Sequence, residues 1–572
     1  MTVAGIYLKI FSLTDICKAP IETIIALFTI KYCDSTVNIK LIECEQKLGE
    51  CGYTVDLSSF VYKILSKEKV PDCANSCELP NILVNERSCI AGLCACLRQI
   101  VKSAIDVVPS HHCQTLLGFK NSCLLACSEV SVWTRFCEVD LISTLRSFGN
   151  EMLDQSELPI SMAKFEIHMS QPARLHNLYK YTMSKKYAIS GNINRDNKFL
   201  PEHTFAEGSC ITLADIIIFV CIHILFNLIP LTSDKILELL PLTMTWYKKM
   251  IENDAIIKCL TCLPLQEIDC DNVINYVLPA VDNQSLYKSD SKRYRPRSRI
   301  YTRQEDIEHS LELVENLNVN TKLNDLPFGA EICIDWSSIP FDATPEGGSL
   351  PVARQKRKLD QLENLCRPVI KLAKKGDVIV DFCSGSGHLG ITLAYLLPEC
   401  SVILLENKEE SLNRAKERVK KLKLTNVKFC QCNLFYFKGH FDIGTSLHAC
   451  GVATDLVIQH CIRKNATFVC CPCCYGSVQS CQRVVYPRSN VFQKDIAIRD
   501  YLVLGHAADQ THDAGNSKTL QGKKCMTIID TDRKLHAEQF GYNVQLAKLV
   551  PEDCTPKNHL LVGIPENGVC KC

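Results

Sequence analysis

The sequence predicts a chain of mixed α/β and α class, in which a thioredoxin-like segment and an all-helical segment precede a Rossmann-like, seven-stranded domain. Three observations predict this order. Residues 1–105 alternate apolar runs with helical patterns, residues 106–262 show helical periodicity with few strand signals, and residues 346–572 alternate apolar strands with helices. Residues 263–345 lack this regularity and form a predicted connector. A length of 572 residues suits several cores.

The composition is that of an ordinary globular chain. Hydrophobic residues make up 47% of the sequence and the formal net charge is +1, so no global charge favours nucleic acid as a partner. Several of the 35 cysteines fall within apolar runs, where cysteine behaves as a small buried side chain. Because Met1 does not open a secretory leader pattern, we expect a reduced, cytoplasmic protein. The most apolar stretch, residues 216–231, is too short for a membrane span and predicts a buried helix.

The first segment has the element order of a thioredoxin-like fold. A strand, a helix and a second strand come first, and a strand containing Leu79-Pro80 leads into another helix. These elements are predicted over residues 5–13, 21–32, 37–44, 78–84 and 90–101.

The second segment carries one clear helix start. Thr212 and Asp215 have the spacing of an N-cap residue and the third helical residue, and an apolar run follows at once. A further amphipathic helix is predicted over residues 240–256. The connector then holds a basic stretch, 288–303, and within it residues 292–301 interleave five cations with two tyrosines. These residues are Lys292, Arg293, Tyr294, Arg295, Arg297, Arg299 and Tyr301.

A glycine-rich turn follows the first predicted strand of the third segment. Residues 376–381 form an apolar, β-branched run, and residues 382–390 read Phe-Cys-Ser-Gly-Ser-Gly-His-Leu-Gly before a helix. Glycines permit a sharp turn and the close approach of a ligand, and the helix N-terminus offers free N–H groups. Such a turn by itself suits NAD equally, or a doubly wound sheet that holds no cofactor.

Two acidic residues favour S-adenosylmethionine (SAM) as the cofactor. Asp381 stands before the glycines, where a carboxylate meets the methionine ammonium and repels a pyrophosphate. Glu406 ends the second strand, 401–405, and lies 21 residues after Gly385 (406 − 385), where it accepts both ribose hydroxyls. The predicted cofactor-binding residues are Arg354, Asp381, Cys383, Gly385, Ser386, Gly387, Glu406, Asn433, Leu434 and Leu447.

Further strands are predicted over 427–432, 441–447 and 467–471, and an antiparallel hairpin over 543–549 and 560–564 closes the sheet. Ahead of the first strand, three polar residues at helical spacing share one face, which covers the cofactor's carboxylate, contacts a phosphate or is solvated. They are Arg354, Lys358 and Gln361.

The methyl acceptor is expected beyond the fourth and fifth strands, where His448, Cys473 and Tyr475 are the candidate catalytic residues. His448 either removes a proton from the acceptor or holds the backbone or cofactor. Cys450 and Cys473 are either a nucleophile and release pair or structural thiols.

No metal ligand is predicted. Cys470, Cys471, Cys473 and Cys474 crowd one strand end without a matching second pair, which disfavours zinc. A set formed by His506, Asp509 and His512 has near-helical spacing and is interpreted as solvated. The polar loop at 513–524 is a predicted lid.

Three motifs together resemble the glutathione S-transferase C-terminal domain-containing protein family: Asp381 to His388, Ser446 to Gly451, and Cys471 to Tyr475. In the first two segments, Leu213-Ala214-Asp215, Pro241 before Trp246-Tyr247, and Pro80 at the position of a cis-proline are similar to glutathione transferases. The resemblance covers nearly the whole chain and implies a transferase-like half joined to a SAM methyltransferase domain.

Two departures qualify that resemblance. Ala91-Gly92 stand where transferases place the residues that hold glutathione, and Ser12 and Cys17 are ambiguous as catalytic positions. We therefore expect no glutathione binding or transfer, and interpret this half as a protein interaction module. Cys383 replaces the first loop glycine, where a small side chain fits.

Two functions remain open from the sequence. The first is a SAM-dependent methyltransferase with RNA as the leading acceptor, since the basic stretch at 288–303 and a basic helix face at 416–423 suit stacking and phosphate contact. The second is a non-catalytic scaffold with a vestigial SAM site. A charge run is also typical of a solvated linker.

Overall fold

A computed structural model describes residues 5–13, 17–148, 157–171, 173, 203–263, 276–287, 303–348, 350–481, 483–511, 516 and 518–566. The chain forms two compact units, Met1–Ser291 and Lys292–Cys572. Within the described ranges, no helix has the length and apolar character needed to cross a membrane. The basic stretch at 288–302 lies outside the described residues.

The amino-terminal unit begins with strands and continues with helices. Its described strands are β1 (Gly5–Ile10), β2 (Ser12–Leu13), β3 (Cys17–Ala19), β4 (Asn38–Glu43), β5 (Tyr53–Val55), β6 (Tyr62–Leu65), β7 (Asn81–Asn85) and β8 (Ser88–Ala91). Its described helices are α1 (Ile21–Tyr32), α2 (Asp72–Asn75), α3 (Leu93–Val107), α4 (Val132–Arg135), α5 (Leu141–Arg146), α6 (Ile160–Ser170), α7 (Leu213–Leu228), α8 (Ser233–Leu239), α9 (Pro241–Ile251) and α10 (Asp254–Leu260).

The strand order β8-β7-β1-β4-β6 confirms the thioredoxin-like prediction. β1 runs parallel to β4, because α1 crosses between them, and antiparallel to β7, which pairs in turn with β8. The Leu79–Pro80 peptide bond before β7 is cis. The predicted helix at 90–101 was wrong at its start: Ser88–Ala91 is a strand, and α3 begins only after Gly92, whose φ of 102° breaks the pattern.

The helical part contains the predicted capping box at the start of α7. The Asp215 carboxylate accepts hydrogen bonds from the Thr212 N–H at 2.9 Å, the Ala206 N–H at 2.7 Å and the Trp246 indole at 2.9 Å. One fully buried side chain therefore joins the helix end, the preceding loop and α9. The helix predicted over 240–256 is divided into α9 and α10, since Asn253 caps a new helix.

Replacing Asp215 by alanine is expected to lower the free energy of unfolding by about 2 kcal/mol, because a cap is lost and the Trp246 N–H is left buried without its acceptor. Urea denaturation of the full chain, followed by tryptophan fluorescence, measures this loss. Asp234→Ala, in the first turn of the more exposed α8, is the matched control and should change stability by less than about 0.5 kcal/mol. Equal effects of the two substitutions would contradict the assignment.

The carboxy-terminal unit alternates strands and helices. Its described strands are β9 (Val378–Phe382), β10 (Ser401–Leu405), β11 (Val427–Gln431), β12 (Ile443–Cys450), β13 (Thr467–Cys473), β14 (Tyr542–Lys548) and β15 (His559–Pro565). Its described helices are α11 (Gln304–Asn316), α12 (Val352–Leu372), α13 (His388–Leu396), α14 (Glu409–Lys421), α15 (Val452–Lys464), α16 (Asn490–Asp495), α17 (Ile498–Ala508) and α18 (Lys518–Glu538).

The sheet order in this unit is β14-β15-β13-β12-β9-β10-β11. Neighbouring strands from β13 to β11 run parallel, whereas β15 pairs antiparallel with both β13 and β14. The closing hairpin is thus confirmed. β9 and β12 lie side by side although β10 and β11 separate them in sequence, so the connections reverse direction at this point. In open α/β sheets, ligands bind at such a switch point, beyond the carboxyl ends of the strands.

Two elements differ from the sequence prediction. β12 and β13 each continue past their predicted ends, through His448 to Cys450 and through Pro472 to Cys473. In the predicted lid, residues from Lys518 onward form the first turns of α18, and residues 513–515 and 517 lie outside the described range. The predicted connector also contains α11, whose Asp306 pairs with Arg499 on α17.

Candidate cofactor and acceptor site

Asp381 lies near the carboxyl end of β9 and is only 2% exposed. Its Oδ2 accepts a hydrogen bond of 2.9 Å from the Gly390 N–H in the first turn of α13. Burial raises the pKa of this carboxyl group from 3.8 to about 7, although the Gly390 N–H and the nearby Lys358 charge act in the opposite direction. A buried carboxylate with one protein donor is suited to receive a cationic ligand group.

The glycine-rich turn adopts left-handed backbone at three positions: φ is 55° at Cys383, 56° at Gly385 and 76° at Gly387. The Gly387 N–H donates to the Ser384 carbonyl at 2.8 Å and closes the turn. A cysteine in this backbone region is uncommon, and the small side chain is accommodated as expected.

Glu406 faces this turn. Its Oε2 accepts from the Gly385 N–H at 2.9 Å, and its Oε1 accepts from the Lys408 N–H at 2.8 Å. The acid that ends β10 is therefore held beside the first loop glycine, as the 21-residue spacing requires. Each carboxylate oxygen has further acceptor capacity for a ribose hydroxyl.

One side of the turn is free of protein atoms. A Cβ built on Gly385 would meet no atom within 4 Å, so this side of the turn is open. The Ser384 hydroxyl is buried and has no hydrogen-bond partner among the described residues, which makes it a donor or acceptor for a bound group. Ser384 was missed by sequence reasoning, because serine in a turn is commonly exposed.

The remaining predicted cofactor residues come from the neighbouring strand ends. Asn433 follows β11 and its side-chain oxygen accepts from Asn407, with Leu434 buried beside it. Leu447 is buried in β12, and Ser386 accepts a hydrogen bond from Arg418 through its carbonyl oxygen. These residues come from the connections that follow β9 and β11 and from β12 itself.

Arg418 lies on the predicted basic face of α14, but its guanidinium is buried. It donates to the carbonyls of Asp342 and Thr344 at 3.0 Å each, and to Ser386 at 3.2 Å. It therefore fixes the glycine-rich turn and the 342–344 segment. Because it is buried, Arg418 does not contribute to the exposed part of the basic face predicted at 416–423.

The polar face of α12 divides along its length. Arg354 is exposed. Burial lowers the pKa of Lys358, whose positive charge acts on Asp381 and His448. Gln361 donates to the Cys554 carbonyl at 2.9 Å through its amide nitrogen. The charge of Lys358 therefore acts on the strand-end carboxylate, whereas Arg354 lies at the exposed start of the same helix.

His448 ends the regular part of β12, with a φ of 68°. Its Nε2 lies 3.0 Å from Oε1 of Gln361. Since the Gln361 amide nitrogen is already donating elsewhere, the oxygen is an acceptor and Nε2 carries the proton. Burial and the Lys358 charge lower the pKa of His448 to about 4, so the ring is neutral at pH 7.

The three cysteines at these strand ends converge. Cys450 and Cys473 are register partners, with sulfurs 3.4 Å apart, and Cys474 Sγ lies 3.5 Å from Cys450 Sγ. Cys471 instead points into the core and donates to the Lys557 carbonyl. Tyr475 is fully buried, and its hydroxyl donates to Asp530 on α18 at 2.6 Å. Its hydrogen bond is therefore made to α18 and not to the glycine-rich turn.

Two members of the other polar set, His506 and Asp509, are among the described residues, and both lie beside Gly476. Asp509 accepts from the Tyr475 and Gly476 N–H groups at 3.0 and 2.8 Å and pairs with Lys557, which gives it a structural role at the end of β13. His506 is buried on α17. His512 lies outside the described residues.

Six strands of this sheet share one direction, and the antiparallel β15 lies between β13 and β14. A glycine-rich turn follows β9, and acids stand at the ends of β9 and β10. These features define a class I methyltransferase domain. A family profile described as a methyltransferase domain matches residues 354–481, which contain these motifs.

The chain belongs to the glutathione S-transferase C-terminal domain-containing protein family. It is 40% identical to the Drosophila pseudoobscura pseudoobscura homolog over 572 residues, which cover 95% of each chain. It is 34% identical to the Homo sapiens protein, covering 98% of each. Among solved structures it matches a Methanococcus jannaschii fibrillarin pre-rRNA processing protein with 11% identity and a TM-score of 0.23, over 34% of this chain and 68% of that one.

Proposed function

We propose that this protein is a SAM-dependent methyltransferase. The observation that carries the proposal is the open space beside Gly385, in a turn that Glu406 contacts at Gly385 and Asp381 contacts at Gly390. Gly387 of the same turn is packed instead, since a Cβ built there would meet three side chains at 3.0 Å.

The residues present suit each part of the cofactor. Asp381 would hold the methionine ammonium, Lys358 the methionine carboxylate and Glu406 the ribose hydroxyls. When bound, SAM supplies an electrophilic methyl group that an acceptor attacks in line. Positioning of the acceptor for this attack supplies much of the rate. The neutral His448 ring orients the end of β12 through Gln361, and this contact is its best-supported role.

The direct test is a calorimetric titration of the full chain with SAM, with S-adenosylhomocysteine and with methylthioadenosine, which lacks the amino-acid part. The first two ligands are expected to bind more tightly than the third, because only they reach Asp381 and Lys358. Absence of heat with all three ligands would overturn the proposal.

Glu406→Gln is expected to weaken binding of SAM and of methylthioadenosine alike by about 10-fold, since both carry the ribose and one charged acceptor is lost. The new amide would also direct a donor toward the N–H of Gly385 or Lys408. Glu410→Gln, on the exposed side of α14, is the control and should retain wild-type affinity. A loss restricted to SAM would argue against the ribose role.

RNA is the acceptor class we propose. Support comes from the sequence alternation of cations and tyrosines at 292–301, since aromatic side chains stack on bases while cations neutralise phosphates. Transfer of a tritiated methyl group from SAM to total RNA, compared with transfer to total protein, tests this class. Labelling of protein alone would exclude RNA, and labelling of neither would favour a scaffold that retains only a vestigial cofactor site.

We infer that the amino-terminal unit is a protein interaction module. Burial raises the pKa of the Cys17 thiol to about 11, so it is not a thiolate at pH 7, and Ala91 and Gly92 provide no side-chain group for glutathione. Glutathione conjugation to an aryl halide by the full chain would contradict this assignment.

A further inference from the structure

Three thiols at the ends of β12 and β13 form a group that the methyl-transfer proposal does not use. The Sγ atoms of Cys450, Cys473 and Cys474 all lie within 4.8 Å of one another. We propose that these three cysteines bind one zinc ion, with a fourth coordination position open to solvent.

The sulfur spacing fits a shared ion. Zinc–sulfur bonds of about 2.3 Å in a tetrahedral site place two sulfurs about 3.8 Å apart. The separations from Cys450 to Cys473 and to Cys474 are 3.4 and 3.5 Å. A disulfide would need about 2.05 Å, so the sulfurs are in contact without being bonded. Small movements of the side chains would admit the ion.

The backbone brings the three residues together from two strands. The register of β12 against β13 shifts after Leu447, so Cys450 comes to lie directly opposite Cys473. Cys474 then leaves β13 in left-handed backbone, with a φ of 51°, and its sulfur turns back to Cys450.

Positive charge lies near the three sulfurs. The Lys408 charge acts on Cys450. The Lys557 charge acts on Cys473 and Cys474. Zinc with three thiolates carries one net negative charge, which these two lysines offset. The thiol protons pass to solvent on binding.

Exposure defines the open position. Cys450 is exposed, Cys474 is half-buried and Cys473 is buried, so an ion held by the three would reach solvent on the Cys450 side. Zinc sites with three protein ligands keep the fourth place for water or a substrate atom. One extension rests on the proposed function and is separate from zinc binding itself: with the methyl acceptor expected at these strand ends, the open position suits an acceptor with a soft donor atom.

The test is the zinc content of the full chain, purified from zinc-supplemented cells under reducing conditions and analysed by plasma mass spectrometry. About one zinc per chain is expected. Cys450→Ser should weaken zinc binding by more than about 100-fold, since even residues outside the ligand sphere contribute about 10- to 100-fold. Cobalt substitution should give a thiolate-to-cobalt charge-transfer band in the wild type and not in Cys450→Ser.

Cys333→Ser, at an exposed cysteine of the same unit, is the matched control and should keep the metal. Because Cys450 is exposed, its serine variant is expected to fold, which circular dichroism verifies. Equal zinc content in Cys450→Ser and wild type, no zinc in the wild type, or a Cys450–Cys473 disulfide in the reduced preparation would overturn the proposal. SAM titration of the same samples is separate, so failure of either proposal leaves the other intact.

Discussion

Asp381→Asn is expected to weaken SAM binding by about 100-fold and, at the same time, to stabilise the protein without ligand. The first effect follows because a buried carboxylate would lose its charge-assisted contact with the methionine ammonium, a loss of about 3 kcal/mol. Asparagine retains the oxygen that accepts from Gly390, so the turn should keep its shape. Calorimetric titration measures the affinity.

The second effect follows from the sign of the pKa shift. The folded-state pKa of Asp381, about 7, exceeds the unfolded value of 3.8, so the folded protein loses stability as pH rises between these values. The loss persists above pH 7 and amounts to about 4 kcal/mol at most. Asparagine removes it, and thermal unfolding should show a higher Tm for the variant at pH 8 and no difference at pH 3.5.

Two controls separate these causes. Asp377→Asn, in the turn before β9, should leave SAM affinity unchanged. Wild-type affinity should fall about 10-fold per pH unit below pH 7, because the carboxyl group must ionise to bind a cation, whereas the affinity of Asp381→Asn should not follow pH in this way. Unchanged SAM affinity in Asp381→Asn at pH 8 would refute the role of this residue.

Arg533→Met is expected to lower the free energy of unfolding of the carboxy-terminal unit by about 4 kcal/mol. Arg533 is fully buried on α18 and donates to Asp455 at 2.8 and 3.0 Å and to Asp530 at 2.9 Å. Burial would raise the pKa of Asp455, but the Arg533 charge keeps it below its usual value. Removing the cation leaves buried carboxylates uncompensated, which costs about 3–5 kcal/mol. Urea denaturation measures the loss.

The matched control for this network is Arg499→Met, which removes an ion pair with Asp306 at the surface. This substitution should lower the free energy of unfolding by less than about 1 kcal/mol. The deficit of Arg533→Met should shrink as pH falls from 8 toward 5, because the unpaired carboxyl groups take up protons. It should also be partly restored by adding Asp455→Asn. A deficit below 1 kcal/mol, or one that does not vary with pH, would show that the network is not a major source of stability.

Much of the fold could be predicted from the sequence because it depends on local patterns. Alternating apolar strands and helices fixed α1, β10 and the closing hairpin nearly to the residue, and the spacing of Thr212 and Asp215 located the start of α7. The helix predicted at 90–101 began too early because an apolar run beside a glycine is compatible with a strand or a helix, and pairing with β7 selected the strand for Ile90 and Ala91.

The contacts of Asp381 and Glu406 with the glycine-rich turn could be predicted, since these residues lie in motifs whose spacing reflects one strand–turn–helix unit and the next strand. The arrangement on the predicted acceptor side could not. Cys473 joins the thiol cluster, whereas Cys471 packs inside the protein. The local sequence does not distinguish the two, because the register shift that brings Cys473 opposite Cys450 is a property of the paired strands β12 and β13.

The sequence by itself therefore determined the order of strands and helices, the glycine-rich turn and the two acids around it, since each depends on residues that are neighbours along the chain or one element apart. Only the tertiary structure decided that Arg418 points inward, that Tyr475 joins the Asp530 network and that three cysteines meet at one point. Those outcomes depend on burial and on contacts between distant segments. The same polar side chain is solvated when its face of the helix or strand is open, and makes hydrogen bonds within the protein when that face is packed against another element.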